Sequence, residues 1–205
     1  MGYRTIADSL LSAGFKLDGV PVFYKEYGKW MLVSSDPGIF IPMRDSNGKI
    51  QGLQIRRDKE YTDDRRKKKY FWLSSNNMKD GAKACSWIHI VGKSQEVVYL
   101  TEGGLKADVI NALSGRSVIA VPGVNNLYFL RDVLSYLYRH GTRVIVNAFD
   151  MDKMQKPEVK KALGKSNAII QQCGMQYKNI RWNANYKGLD DFLYACKCRL
   201  STVNK

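Results

Sequence analysis

Two patterns predict an α/β protein: a parallel sheet with flanking helices, preceded by a smaller β-rich α+β region. After Ser94, short continuous Val/Ile/Leu runs alternate with helical segments, the arrangement of βαβ units around a parallel sheet. Before it, from Val22 to about Val91, β-type segments follow one another across turn clusters, which suits an antiparallel meander. The expected division is 1–94 and 95–205, and 205 residues suffice to bury a core without disulfide or metal staples.

Residues 3–15 carry Ile6, Leu10, Leu11 and Phe15 at helical spacing with a glycine near the end, so a short amphipathic helix opens the chain. Segments 30–33, 39–42, 50–55, 70–73 and 87–91 read as strands, with Asp45-Ser46-Asn47-Gly48 a strong hairpin signal. The second half reads as strand 96–102, helix 105–114, strand 117–121, helix 126–140, strand 143–149, helix 157–173, strand 177–182 and helix 189–200. Pro157 suits a first helical turn, and Gly115, Gly141 and Gly174 fall where helices should stop.

Lys and Arg number 33 against 19 for Asp and Glu, a net charge of +14 that favours polyanionic partners, nucleic acid above all. Arg56-Arg57 and the run Arg65-Arg66-Lys67-Lys68-Lys69 precede Tyr70-Phe71-Trp72, placing phosphate-binding charge beside stacking surface. Arg56, Arg66, Lys67, Lys68, Lys69, Tyr70 and Trp72 are the candidate nucleic-acid contacts, with Tyr70 and Trp72 sharing a face opposite Phe71. A solvated loop followed by a core strand has the same composition. No stretch reaches the roughly 18 apolar residues of a membrane span and no signal peptide opens the chain, so a soluble, cytoplasmic protein without membrane contact is expected. Cys85, Cys173, Cys196 and Cys198 form no C-x-x-C pair, so reduced thiols and no zinc are expected. For His89 and His140, packing and a helix-end role suffice.

The chemistry concentrates where two apolar runs end in carboxylates: Val97 to Leu100, then Thr101-Glu102-Gly103-Gly104, and Val144 to Val146, then on to Asp150-Met151-Asp152. Ligand sites in open parallel sheets lie at the carboxyl ends of the strands. While the chain stays extended, Asp150 and Asp152 project to one side, as carboxylates sharing a divalent cation require. Each acid taken singly also suits a solvated loop or a helix N-cap. As crowded like charges, Glu102, Asp150 and Asp152 are expected to destabilise the metal-free protein by repulsion.

An apolar strand ending in Glu-Gly, followed about 50 residues later by one ending in Asp-x-Asp, resembles the Toprim domain of DnaG-type primases, type IA and II topoisomerases and several nucleases. Ile41-Pro42-Met43-Arg44-Asp45-Ser46-Asn47-Gly48-Lys49-Ile50-Gln51-Gly52 and Lys69-Tyr70 are similar to the hairpin and K-Y motifs that precede Toprim in those primases. With Gly19-Val20-Pro21, Gln54-Ile55-Arg56 and residues 69–75, the chain looks still more like primase-related Toprim proteins of phages, plasmids and integrative elements, over roughly residues 15 to 195.

The resemblance implies catalytic and metal-binding roles for Glu102, Asp150 and Asp152 with Mg2+ or Mn2+. It adds Asp190 and Asp191 as metal ligands where primases carry D-P-D, here Gly188-Leu189-Asp190-Asp191-Phe192. The primase motif E-G-Y-M-D reads Glu102-Gly103-Gly104-Leu105-Lys106, with Lys106 in place of an acid and Asp108 two residues later, so the site is expected to have one ligand fewer. Gly103 and Gly104 would let backbone approach phosphate at a helix N-terminus. Lys106 would add a charge-assisted contact, or be an exposed helix lysine paired with a nearby acid.

The implied function is template-directed nucleotidyl transfer by a primase-like core of a phage or mobile-element replication system. Its partners would be single-stranded DNA or RNA, nucleoside triphosphates and a replicative helicase or polymerase. A Toprim nuclease would use the same acids on water, and a nucleic-acid-binding accessory module of weak activity would keep the fold. Topoisomerase activity would need a nucleophilic tyrosine on a separate domain. Without a cysteine-rich N-terminal domain or a helicase-binding domain, a primase of this kind is expected to be a stripped core or a piece of a larger assembly.

Overall fold

The structure, a computed structural model, describes residues 3–33, 37–58, 69–150 and 156–203. It separates into two compact units, Met1–Met43 with Ile50–Ser86, and Arg44–Lys49 with Trp87–Lys205.

In the first unit, α1 (Tyr3–Ser12) is followed by an antiparallel hairpin of β1 (Phe23–Glu26) and β2 (Lys29–Leu32). The helix ends before Phe15, so Ile6 and Leu10 pack inward while Leu11 and Phe15 stay exposed. The hairpin turns through Tyr27 (φ 47°) and Gly28 (φ 73°); two positive φ angles match the twist of the flanking strands. Strand β1 has no counterpart among the expected segments, because a Tyr-Gly turn lacks the Asn-Gly signature. β3 (Gly38–Arg44), β4 (Ile50–Arg57) and β5 (Tyr70–Trp72) form a second sheet in that order. Ala7, Leu17, Phe23, Leu32, Ile55 and Leu73 close the core of this unit.

The second unit is a five-stranded, mostly parallel sheet flanked by helices. Its strands are β6 (His89–Val91), β7 (Val97–Glu102), β8 (Val118–Val121), β9 (Val144–Asn147) and β10 (Gln176–Asn179), in the spatial order β10-β9-β7-β8-β6. All pairings are parallel except β6 with β8. Segment 87–91, expected with the N-terminal strands, thus supplies an antiparallel edge strand to this sheet.

The helices are α2 (Gly104–Ser114), α3 (Leu130–Arg139), α4 (Pro157–Gln172) and α5 (Leu189–Val203). Val98, Leu100, Val121, Ile145 and Phe149 pack with Leu134 of α3 and Ile170 of α4. On the other face, Val118, Ala120 and Ala148 pack with Ala107 and Ile110 of α2, with Leu189 of α5 and with Trp182, which precedes that helix. Covering both faces is why β8 reads Val-Ile-Ala-Val without alternation and is buried throughout. Gly115 closes α2 in the left-handed region at φ 68°, its N–H bonding Asn111 O, as its position after the helical run predicts. Helix α3 starts later than expected, residues 126–129 forming turn structure ahead of it. Among the described residues no helix is long and apolar enough to cross a membrane.

Candidate active site

The connection β7-α2-β8 runs to one side of β7, and β9-α4-β10 runs to the other. The sheet therefore reverses winding between β7 and β9, and the crevice beyond their carboxyl ends is where open α/β sheets bind ligands. Glu102 ends β7 and Asp150 follows β9 at this point, with the seam tied by Thr101 Oγ1 donating to Ala148 O at 3.1 Å. Val98 and Leu100 belong to the α3/α4 face and Ala148 to the α2/α5 face. By pleat alternation Glu102 follows the first series and Asp150 the second, so they approach the crevice from opposite sides of the sheet.

Gly103 turns the chain from β7 into α2 at φ 83°, a backbone that side-chain-bearing residues rarely adopt. Its N–H bonds Val121 O at 2.9 Å, and a Cβ placed there would meet nothing within 4 Å, so this backbone borders open space. Gly104, the first helical residue, is buried.

In the first turn of α2, Lys106 Nζ donates to Asp150 Oδ1; the Asp150 side chain is 1% exposed and that of Lys106 27%. Asp190, at the start of α5, joins them. A Cβ on Gly188 would lie 2.1 Å from Asp190 Oδ1 and 3.4 Å from Asp150 Oδ1, so the missing side chain lets the two carboxylates share one space. Burial raises the Asp190 pKa above the usual carboxylate range, the Lys106 charge opposes that rise, and Asp191 adds to it. The expectation of unrelieved repulsion at Asp150 is therefore corrected: a lysine ammonium neutralises it.

Asp191 is exposed, and its Oδ2 accepts from the Gly188 N–H at 3.4 Å, the reach-back of a residue three positions into a helix to its N-cap. The geometry gives it a capping contact. Asp152 lies outside the described residues. Among the described residues no three His, Cys, Asp or Glu are grouped at metal-holding range. The donor chemistry nonetheless fits a hard cation such as Mg2+: the acids offer only oxygen, and Asp190 Oδ1 is buried without a hydrogen-bond partner beside Asp150.

The other candidate contacts lie in the first unit. Arg56 pairs across the strands with Tyr70, and Gln54 with Trp72, so these four side chains share one face of β4 and β5. Phe71 lies on the other face, against the core and beneath the Arg57 guanidinium, 4.1 Å from the ring centroid. Tyr70 is 42% exposed and Lys69 is exposed. Trp72 is half-buried against Gly52, where a Cβ would approach its ring to 2.7 Å. Arg66, Lys67 and Lys68 lie outside the described residues.

Two polar centres escaped the sequence reading. Asn147 is buried in β9, and its amide Nδ2 donates to Asn167 of α4 and Asn179 of β10, each at 2.9 Å. His89 is wholly buried; its Nδ1 accepts the Arg44 N–H at 2.9 Å, which leaves the proton on Nε2 for Asp108, also at 2.9 Å. His89 thereby holds the hairpin tip, where Asp45 Oδ1 accepts from the Asn47 and Lys49 N–H groups, against α2. No spacing pattern marks either centre. His89→Leu is expected to cost about 1–3 kcal/mol by stranding the Arg44 N–H. Urea unfolding checks this, and wild-type stability would remove the role.

The fold is that of primase catalytic domains. It superposes on the Aquifex aeolicus primase (zinc-binding and RNA polymerase domains) with a TM-score of 0.60 at 18% identity, over 92% of this chain and 43% of that one. The RNA polymerase domain of Mycobacterium tuberculosis primase DnaG gives 0.61 at 15% identity, over 95% and 63%. A DnaG primase catalytic domain bound to ssDNA gives 0.56 at 14%, over 95% and 58%. This chain thus spans less than two thirds of each of these structures. No curated protein matches it. The chain belongs to the family described as Domain of unknown function (DUF3854), whose family model matches residues 86–198.

Proposed function

We propose that this chain is a Toprim-type, primase-like catalytic core that transfers nucleotides on a single-stranded DNA or RNA template, in the cytoplasm, within a phage or mobile-element replication system. The observation that carries the reading is the placement of Glu102 and Asp150 at the winding reversal of a sheet with the primase catalytic fold. Glu102, Asp150, Asp152 and Asp190 would hold Mg2+ or Mn2+. When bound, such an ion supplies charge neutralisation for triphosphate oxygens and lowers the pKa of an attacking hydroxyl.

The chain's own residues account for binding. The open backbone at Gly103 and the free N–H groups of the first turn of α2 favour a phosphate there. Arg56, Lys69 and Tyr70, with Arg66, Lys67 and Lys68, would hold the template through charge and base stacking. A helicase or polymerase is the proposed partner.

The Lys106–Asp150 ion pair favours a second reading, an accessory nucleic-acid-binding module with weak turnover, because one acid is already neutralised. Incubation with single-stranded DNA, Mn2+ or Mg2+ and labelled nucleoside triphosphates separates the two. Metal-dependent extension is expected. Cleavage alone would make the protein a nuclease, and binding without either product would establish the accessory module.

A further inference from the structure

We infer that Lys106 is a built-in cation of the acid site that competes with a divalent ion for Asp150. Asp150 is then neutralised without metal, and metal entry displaces the lysine. The inference rests on the proposed reading only in taking these acids as the metal site.

The position of the lysine carries the argument. It stands in the first turn of α2, which holds no acidic residue, and there a cation opposes the helix dipole. Its partner is no neighbour on the helix. It is Asp150, 44 residues away beyond β9 and 1% exposed. Burying a carboxylate so fully is costly unless an opposite charge packs against it, and the ammonium does. Asp190 feels the same ammonium and shares the space above Gly188 with Asp150, so one lysine serves two acids. A divalent ion seeking those oxygens meets a cation already in contact with one of them. Binding must break that contact and is weakened accordingly, while the freed ammonium, on the first turn of α2, becomes available to an anionic ligand.

The test measures Mn2+ affinity by electron paramagnetic resonance and melting temperature in chelator, on the full chain, for wild type, Lys106→Met, Lys106→Arg and the double variant Lys106→Met/Asp150→Asn. Because Mn2+ no longer has to displace a bound ammonium, Lys106→Met is expected to tighten Mn2+ by about tenfold and to lower the metal-free melting temperature. Added Mn2+ should then raise that temperature more than in wild type. Lys106→Arg should behave as wild type. In the double variant the two substitutions should be non-additive, since each removes the other's partner, and this comparison decides the matter if Lys106→Met folds poorly. Unchanged Mn2+ affinity in Lys106→Met, or strict additivity in the double variant, overturns the inference. Primer synthesis is scored separately. A wild type that makes no primer while Lys106→Met tightens Mn2+ removes the proposed function and leaves this inference standing; the converse result does the reverse.

Discussion

Asp150→Asn is expected to reduce metal-dependent extension by about a hundredfold to a thousandfold, since an ion bound by carboxylates supplies several kcal/mol to a phosphoryl-type transition state and each 1.4 kcal/mol is a decade in rate. The same substitution is expected to lower the melting temperature of the metal-free protein. Three like charges considered alone predict the opposite sign, because neutralising one would relieve repulsion. The contact with Lys106 decides the sign: Asn keeps a carbonyl acceptor for the ammonium but loses the charge, leaving a largely buried lysine without the carboxylate it contacts. The cost should be about 1–2 kcal/mol, below the figure for a fully buried pair because Lys106 retains partial contact with water. Stabilisation by Mg2+ should shrink in the variant, since that increment measures binding to the folded state. Melting curves with and without Mg2+, alongside extension assays, read all three quantities. A variant that is stabilised in chelator would show that repulsion prevails, and an unchanged Mg2+ increment would remove Asp150 from the metal site.

The parallel sheet was legible because burial on both faces writes a continuous apolar run, as in Val118 to Val121, and because glycines mark the helix ends. What escaped had no local signature. Strand β6 looks like the antiparallel segments before it, and only its pairing with β8 reveals which sheet it joins. The acids at the ends of β7 and β9 could be found from the apolar runs that deliver them, but their mutual geometry could not. Pleat alternation sends Glu102 and Asp150 toward the crevice from opposite faces, Lys106 reaches Asp150 across 44 residues, and Gly188 makes room for Asp190. Neighbouring identical residues also divide their work. Asp190 turns toward the buried acid site while Asp191 bonds the Gly188 N–H, a distinction set by a single step of helix rotation.

Template binding is expected to respond differently to the basic run and to the rings that follow it. Replacing Arg66, Lys67 and Lys68 together with Ala removes three cations, and at about 0.7 counterion per phosphate contact on a single strand the slope of log affinity against log salt should fall by about 2. Tyr70→Ala should cost about 1–3 kcal/mol of binding through lost stacking, with the salt slope unchanged. Because Tyr70 is half exposed on the face opposite the core, this loss should leave stability nearly intact. Phe71→Ala supplies the contrast, since its ring packs against the core beneath Arg57 and truncation should destabilise the fold. Trp72 lies between these cases, and Gly52→Ala tests it without deleting a ring: the new methyl would sit 2.7 Å from the indole and force it to move. Reduced affinity at near-normal stability in Gly52→Ala would identify the indole as part of the binding face. An unchanged salt slope in the triple variant would make the basic run a solvated segment. If Tyr70→Ala and Trp72→Ala unfold the protein while residual binding stays normal, the rings are core residues and the stacking platform fails.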